Sequence, residues 1–342
     1  MRCYRFDAFG GFDHLNVHEE PDPQARPGEV VVRVDAVSLN FRDVAIPTGR
    51  HPAPHDPGLV PTSDAAGEVV EVGEGVTALA IGDRVISAFH PRWFGGRPPA
   101  TLAAEQYGRG RDGWLAEFKA VGSESVVKIP AHLPAVDACT LPCAATTAWT
   151  CLGGPDPVRP GQWVLTLGTG GVSLFAVQLA KAAGARVIST TSSEKKAELL
   201  SGMGADAVIN YLEDPDWGLT ARRLTGGAGV DRIVEVGGPG TMSQSMAAIA
   251  PDAEIALVGF LDGSKSSIDF GELFRSSAHI RQVRVGDRQR LQETVAAVSA
   301  GSIKPVIDSL FPFGEAVDAF RRLDSGDLTG KVVISVSNKK GL

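Results

Sequence analysis

Three stretches of this chain carry residues whose types and spacing could do chemistry. The first is "VLTLGTGGVSLFAVQLA", where Gly168 and Gly170 fit the first two positions of G-x-G-x-x-G and Ser173 stands at the third. Gly171 and Val172 complete the loop. It follows an apolar run and opens a helically spaced one. In that context backbone N–H groups approach a pyrophosphate at a helix N-terminus. The bland alternative is a helix-packing glycine cluster in an unrelated α/β protein. The second stretch is "ISTTSSEKK". A site for NAD usually places an acid about twenty residues past the glycines, on the ribose 2′-OH. No acid stands at this strand end. Thr190, Thr191, Ser192 and Ser193 do, followed by Lys195 and Lys196. Hydroxyls and an ammonium donate to a 2′-phosphate, so the pattern favours NADP(H) over NAD(H). The alternative is the solvated face of a helix start.

The third stretch is "VPTSDAAGEVVEVGEGV". Thr62, Ser63 and Asp64 enter a tight apolar segment and must find partners there: a metal, a substrate or a turn. Cysteine offers little help. Cys3, Cys139, Cys143 and Cys151 form no C-x-x-C pair. Cys139 and Cys143, four apart, read as buried small hydrophobes.

These residues need elements to position them. Residues 1–130 read as short strands separated by turns, as in "VVVRVDAVSLN", "GEVVEVGEGV", "IGDRVISAF" and "EFKAVGSESVVKI", a barrel-like or sandwich unit. A Gly/Pro/Arg-rich insertion, residues 90–113, interrupts it and reads as a binding loop. Over residues 131–286 apolar strands alternate with helices six times, the pattern of a doubly wound parallel sheet. Residues 287–342 hold two helices and two strands, and the last strand is expected to return to the N-terminal unit. The fold class is therefore α/β, with a Rossmann-type sheet inserted in a β-barrel domain. Net charge is −7, which argues against a nucleic-acid partner. No run of about 18 apolar residues exists, so no membrane partner is expected and a cytoplasmic setting is the default.

Together "SLNFRD", "DAAGEVVEVGEGVTALAIGDRV", "LPCAATTAW", "GTGGVSLFAVQLAKAAGARVI", "GADAVINY", "GVDRIVEVGG" and "GKVVI" resemble the medium-chain dehydrogenase/reductase superfamily over essentially the whole chain. Within it the chain looks like the zinc-free quinone oxidoreductase-like branch, which is often labelled zinc-type alcohol dehydrogenase. The resemblance implies a GroES-like β domain, a Rossmann domain, an active site in the cleft between them and a nicotinamide cofactor. It also implies a dimer or tetramer; a homodimer seamed at "HIRQVRVG" is expected. Zinc-dependent members keep a cysteine where Asn40 stands and Gly-His-Glu where Thr62-Ser63-Asp64 stand. A further ligand falls near Cys143. Asn and Ser are poor zinc ligands, so no metal is expected; a fortuitous site at His51 and His55 is the minor alternative.

The resemblance marks Asn40 and Asp43 as active-site candidates. It matches Ser192, Lys196 and Tyr211 to the 2′-phosphate pattern, and Thr147, Gly237 and Phe260 to cofactor-lining positions. Lys331 is expected to reach a phosphate. The reaction implied is metal-free hydride transfer from NADPH to an activated alkene, quinone or carbonyl of a small-molecule substrate. Asn40, Thr62 and Ser63 would supply hydrogen bonds, and water or a loop group such as Tyr107 would return the proton. Two rivals stand beside it: an alcohol or aldehyde dehydrogenase recruiting metal through Cys143 and Asp64, and a non-catalytic NADPH-binding sensor.

Overall fold

The computed structural model describes residues 1–51, 57–259, 268–301 and 303–337. In chain order the strands begin with β1 (Arg2–Phe6), β2 (Leu15–Glu19), β3 (Glu29–Ser38), β4 (Asp64–Val72), β5 (Arg84–Ser87), β6 (Phe118–Gly122) and β7 (Val126–Lys128). Then come β8 (Trp163–Leu167), β9 (Arg186–Thr191), β10 (Ala207–Asn210), β11 (Val230–Glu235), β12 (Ile249–Leu257) and β13 (His279–Gln282). The last two are β14 (Ile307–Pro312) and β15 (Lys331–Ser335). Two compact units emerge. One comprises Met1–Thr146, Gly286–Ser299 and Lys304–Leu342, the other Thr147–Val285 and Ala300–Ile303.

The first unit is built on a sheet of order β14-β15-β3-β4-β5-β7, with β6 also on β3. β3 is the spine. Its Val-rich run "EVVVRVDAVS" is buried along nearly its whole length because β15, β4 and β6 all pair with it. Val30, Val32, Val34 and Val37 join Trp114, Phe320, Val332 and Ile334 in one core. Burying each such Val stabilises by roughly 1.5–3 kcal/mol. β15 runs antiparallel to β3 with Val333 opposite Ser38, so the end of the chain closes the N-terminal sheet.

Residues 90–113 take the form of a strap rather than regular structure. Leu102 and Tyr107 within it, and Trp114 just after it, are buried. Its glycines allow close approach: a Cβ on Gly113 would stand 2.1 Å from both Pro61 O and Thr62 O, and one on Gly108 2.8 Å from Thr62 N.

The second unit is a six-stranded sheet of order β10-β9-β8-β11-β12-β13, parallel throughout. The strand order reverses between β8 and β11, the place where doubly wound sheets bind ligands. Buried strands such as β8, "WVLTL", are apolar because helices cover both faces. β13 forms one edge. Among the described residues no helix is long and apolar enough to cross a membrane.

At the end of β11, Glu235 organises the turn that follows. Its Oε1 accepts from Gly237 N–H at 2.9 Å, Gly238 N–H at 3.0 Å and Thr241 Oγ1 at 2.6 Å, and its Oε2 accepts from Ser245 Oγ. All of Glu235 is buried. Glu235→Ala would strand these donors, so urea unfolding is expected to show a loss of about 3 kcal/mol or more. Glu235→Gln, which keeps an acceptor, is expected to lose less.

Candidate functional site

Within the first unit, sequence-distant residues converge on one buried polar cluster. Asn40 precedes the short helix Phe41–Ala45, and its N–H donates to Asp43 Oδ2 at 2.8 Å. That bond fixes the helix start and holds Asp43 inside, where it is 2 % exposed. Asp64 opens β4 and is fully buried. Its Oδ1 accepts the Ser63 hydroxyl at 2.5 Å, and its Oδ2 accepts the Cys143 N–H at 2.9 Å. Cys143 lies in a π-helical turn, Leu141–Ala145. Such turns disrupt the regular helical bonding pattern and are frequent at functional sites.

Thr62 is strained. Its φ is 71°, a left-handed conformation that costs an L-residue about 1–2 kcal/mol and is rarer still for a β-branched one. The zinc-dependent pattern has glycine at this place. Here a threonine is held there by the strap: Gly113 packs on its carbonyl, and Trp114 N–H donates to Thr62 O at 3.1 Å. Its hydroxyl is buried without a partner.

Lys331 departs from expectation. Instead of pointing toward a phosphate, its ammonium lies inside the unit, donating to Leu39 O at 2.5 Å and Asn40 Oδ1 at 2.6 Å. The register of β15 on β3 explains this, since Leu39 N–H also bonds Val332 O at 3.0 Å. Asn40 Nδ2 makes no hydrogen bond of full geometry, but it faces Asp64 and opposes the rise that burial imposes on that acid. Arg42 completes the cluster, 3.8 Å from Asp43 and stacked over the Phe89 ring at 4.3 Å.

The electrostatics follow from burial. Desolvation pushes the Asp43 carboxyl up to about 6, against the pull of Arg42, while Asp64 adds to the rise. Desolvation also raises Asp64, opposed by Lys331 and by the Ser63 hydroxyl. Burial and the Asp64 carboxylate push the Cys143 thiol up to about 12.

This donor set does not fit a zinc ion. Asn40 Oδ1 faces an ammonium and both Asp64 oxygens hold protein hydrogens, which leaves Cys143 alone among the expected positions, whereas zinc takes about three converging thiolate, imidazole or carboxylate ligands. Among the described residues no group of three His, Cys, Asp or Glu side chains could hold a metal. His55 lies outside the described residues.

Tyr107 is placed otherwise than expected. Its ring packs edge-on against Trp114, centroids 5.5 Å apart, in the core of the first unit. Burial pushes its hydroxyl up to about 12, with Ser125 as the opposing hydrogen-bond partner. A buried phenol of this kind is a poor proton donor to substrate.

In the second unit the glycine turn lies between β8 and the helix Gly171–Ala182. Gly168 has φ +68°, and a Cβ on Gly168 or Gly170 would meet open space. Gly170 is the helix N-cap, so no side chain covers the first amides, those of Gly171 and Val172 among them. Ser173, at the third glycine position, donates to Leu167 O at 2.6 Å and ties helix to strand. At the next strand end, Asn210 of β10 lies opposite Thr191 of β9. Tyr211 and Ser192 are the residues that follow, so the pairing brings them side by side. Ser193 caps the helix Glu194–Gly202 by accepting from Lys196 N–H at 3.4 Å, which puts Lys196 in its first turn. Gly237 leaves no room for a side chain: a Cβ would lie 2.4 Å from Thr241 Oγ1. Thr147 is buried. Phe260 lies outside the described residues.

Family models match both parts of the chain: an alcohol dehydrogenase GroES-like domain over residues 26–131 and a zinc-binding dehydrogenase domain over residues 171–300. The zinc-type alcohol dehydrogenase-like protein C1773.06c of Schizosaccharomyces pombe is 39% identical, covering 98% of this chain and 99% of that one. The chain belongs to the medium-chain dehydrogenase/reductase superfamily. A putative alcohol dehydrogenase from Sinorhizobium meliloti 1021 is similar in structure, with a TM-score of 0.91, 40% identity and 98% coverage of both chains. A mycobacterial structure complexed with NADPH superposes with a TM-score of 0.82 at 26% identity, covering 98% of this chain and 100% of that one. The chain is thus an oxidoreductase of this superfamily, and Asn40 and Thr62-Ser63-Asp64 stand where the sequence resemblance puts the ligands of zinc-dependent members.

The raised Asp43 carboxyl gives a pH test. The folded state binds this proton up to about pH 6, whereas the free group releases it near 3.8. Stability from the neutral form is therefore full below about pH 4 and is lost as pH rises through 6, on the order of 3 kcal/mol. Asp64, raised in the same direction, adds to the fall. Asp43→Asn is expected to flatten the fall relative to wild type in urea unfolding across that range.

Proposed function

We propose that this chain is an NADPH-dependent reductase of an activated alkene, quinone or carbonyl, in which hydrogen-bond donors rather than zinc hold the substrate oxygen. The observation that carries the reading is a pair of buried neutral donors with no full hydrogen bond, Asn40 Nδ2 and Thr62 Oγ1, in a cluster where Arg42 Nε and Asp43 Oδ1 face each other and Ser63, Asp64 and Lys331 are engaged. A buried donor left unanswered costs about 1–3 kcal/mol. A substrate oxygen that takes on negative charge would recover that cost in the transition state, as an oxyanion hole does. Ser63 is less suited than first expected, because its proton is committed to Asp64.

When bound, NADPH supplies the hydride. The open turn Gly168–Gly170 and the uncapped amides of Gly171 and Val172 offer donors to its pyrophosphate. Ser192, Lys196 and Tyr211 offer a hydroxyl, an ammonium and a phenol to the 2′-phosphate. The NADPH complex of the mycobacterial relative supports this cofactor. Two fixed neutral donors suit an electron-poor acceptor, whose charge delocalises into an enolate or hydroquinone. An unactivated ketone would need a stronger Lewis acid.

The alcohol dehydrogenase names of two relatives favour a second reading, oxidation of an alcohol with a recruited metal. Stoichiometric zinc in the purified protein, lost together with activity, would establish it over the first.

Purified protein is expected to oxidise NADPH with at least one member of a panel of enones, quinones and ketones. Tight NADPH binding with no turnover of any acceptor would leave a binding protein instead. Lys196→Ala is expected to raise the KM for NADPH roughly tenfold, the value of one charge-assisted bond, and to leave that for NADH unchanged. Equal effects on both cofactors would refute the 2′-phosphate role.

A further inference from the structure

We infer that Lys331 is a positioning residue for Asn40: its buried ammonium fixes which end of the Asn40 amide is presented as a donor. This rests on the reading above, in which Asn40 Nδ2 meets the substrate oxygen.

An asparagine amide is nearly symmetric in shape and can flip, exchanging its acceptor and donor ends. Here the flip is decided electrostatically. Lys331 Nζ carries only donors, and it stands 2.6 Å from Asn40 Oδ1. The reversed amide would set N–H against ammonium at that distance. On the other side, the NH₂ end faces Asp64 as a donor, short of full hydrogen-bond geometry, which leaves it an N–H for a ligand. An ammonium at one end and a carboxylate at the other therefore impose one orientation. Neither partner is adjustable. Lys331 is anchored by Leu39 O at 2.5 Å and is 4 % exposed, and Asp64 is held by Ser63 and Cys143. The Asn40 backbone is pinned separately, by Asp43. The amide thus needs no reorganisation when charge develops on a substrate oxygen, the condition under which a donor is most effective.

The test combines kinetics with a readout that needs no substrate. Lys331→Met, Asn40→Leu and the double variant are compared with wild type on the best acceptor found. Each single change is expected to lower kcat by about a hundredfold, the usual effect of losing one oxyanion donor, with the KM for NADPH unchanged. The double variant is expected to be no worse than either single, because Lys331 acts through Asn40. Lys331→Arg, which retains the cation, is expected to restore much of kcat. A raised NADPH KM with intact kcat in Lys331→Met would overturn the proposal in favour of a phosphate contact. Losses that multiply in the double variant would overturn it as well.

Selective ¹⁵N labelling of asparagine provides the second readout. The chain has four asparagines, so Asn40→Leu assigns the side-chain pair of Asn40 by its disappearance. In wild type this pair is expected to be sharp and slow to exchange with solvent, and in Lys331→Met to broaden or exchange rapidly. An unchanged pair would overturn the proposal even if no acceptor were ever found, whereas absence of turnover alone would defeat only the functional reading. Should Lys331→Met fail to fold, Asn40→Asp decides. Its carboxylate pairs with the ammonium and fills the same space but offers no N–H, so the same loss of kcat is expected and a retained kcat would overturn the proposal.

Discussion

The candidate site depends on a cation placed inside the protein. Lys331 is buried with its ammonium on Leu39 O and Asn40 Oδ1. Isolated buried charge is very unfavourable, so such a group persists only when paired and hydrogen-bonded. The compensation is visible. Asp43 and Asp64 are buried nearby and Arg42 lies against Asp43, so two acids stand with two cations. Each member constrains the others. Removing the ammonium would leave two carboxylates with one cation and would free the Asn40 amide to turn. The sheet then becomes part of the site. β15 must lie in register on β3 for Lys331 to reach Leu39, so the last strand of the chain sets the geometry of a cluster begun at residue 40.

A second constraint is the strap over Thr62. A β-branched residue at φ 71° persists only when its surroundings over-determine it. Gly113 and Gly108 supply that pressure by packing backbone on backbone, and Trp114 adds a hydrogen bond to Thr62 O. Strain and an unanswered hydroxyl at the same residue are poor economy for a residue that only turns the chain. Both are accounted for if the hydroxyl has a ligand to meet. The insertion of residues 90–113 thus acts on the site through the backbone it compresses, and its aromatic residue Tyr107 serves the core.

Local pattern made much of this legible from sequence. The apolar runs of β3 and β8, the strand–helix alternation and the turn at Gly168 each follow from interactions a few residues long. So does the placement of Ser192, Lys196 and Tyr211, since parallel pairing of successive strands carries their ends to one edge. What sequence did not reveal spans long intervals. Lys331 and Asn40 are 291 residues apart, and Asp64 meets the amide of Cys143 across 79. Neither bond has a local signature. Tyr107 misled for a related reason. Its Gly- and Arg-rich setting reads as an exposed loop, yet those glycines are what let the strap press inward and bury the ring.

The absence of fitting zinc ligands at Asn40 and Thr62-Ser63-Asp64 is therefore more than a deletion. A metal site concentrates charge at one point that both binds and polarises a substrate oxygen. This cluster distributes charge instead. Its Lys331 ammonium is engaged by a carbonyl and an amide, its Arg42 guanidinium by Gln106 and the Tyr107 carbonyl, and its acids by Ser63 and the backbone of Asn40 and Cys143. Arg42 Nε and Asp43 Oδ1 face each other at 3.8 Å, which leaves two neutral groups without a full hydrogen bond, the Asn40 NH₂ and the Thr62 hydroxyl. Neutral donors stabilise a localised alkoxide less than a dication does, but they compete well where the developing charge is already spread through a conjugated system. The same neutrality spares the site the desolvation of a free charge when substrate displaces water. On the proposed reading, oriented neutral donors suit conjugated acceptors, and the ammonium that orients the amide need not touch the substrate.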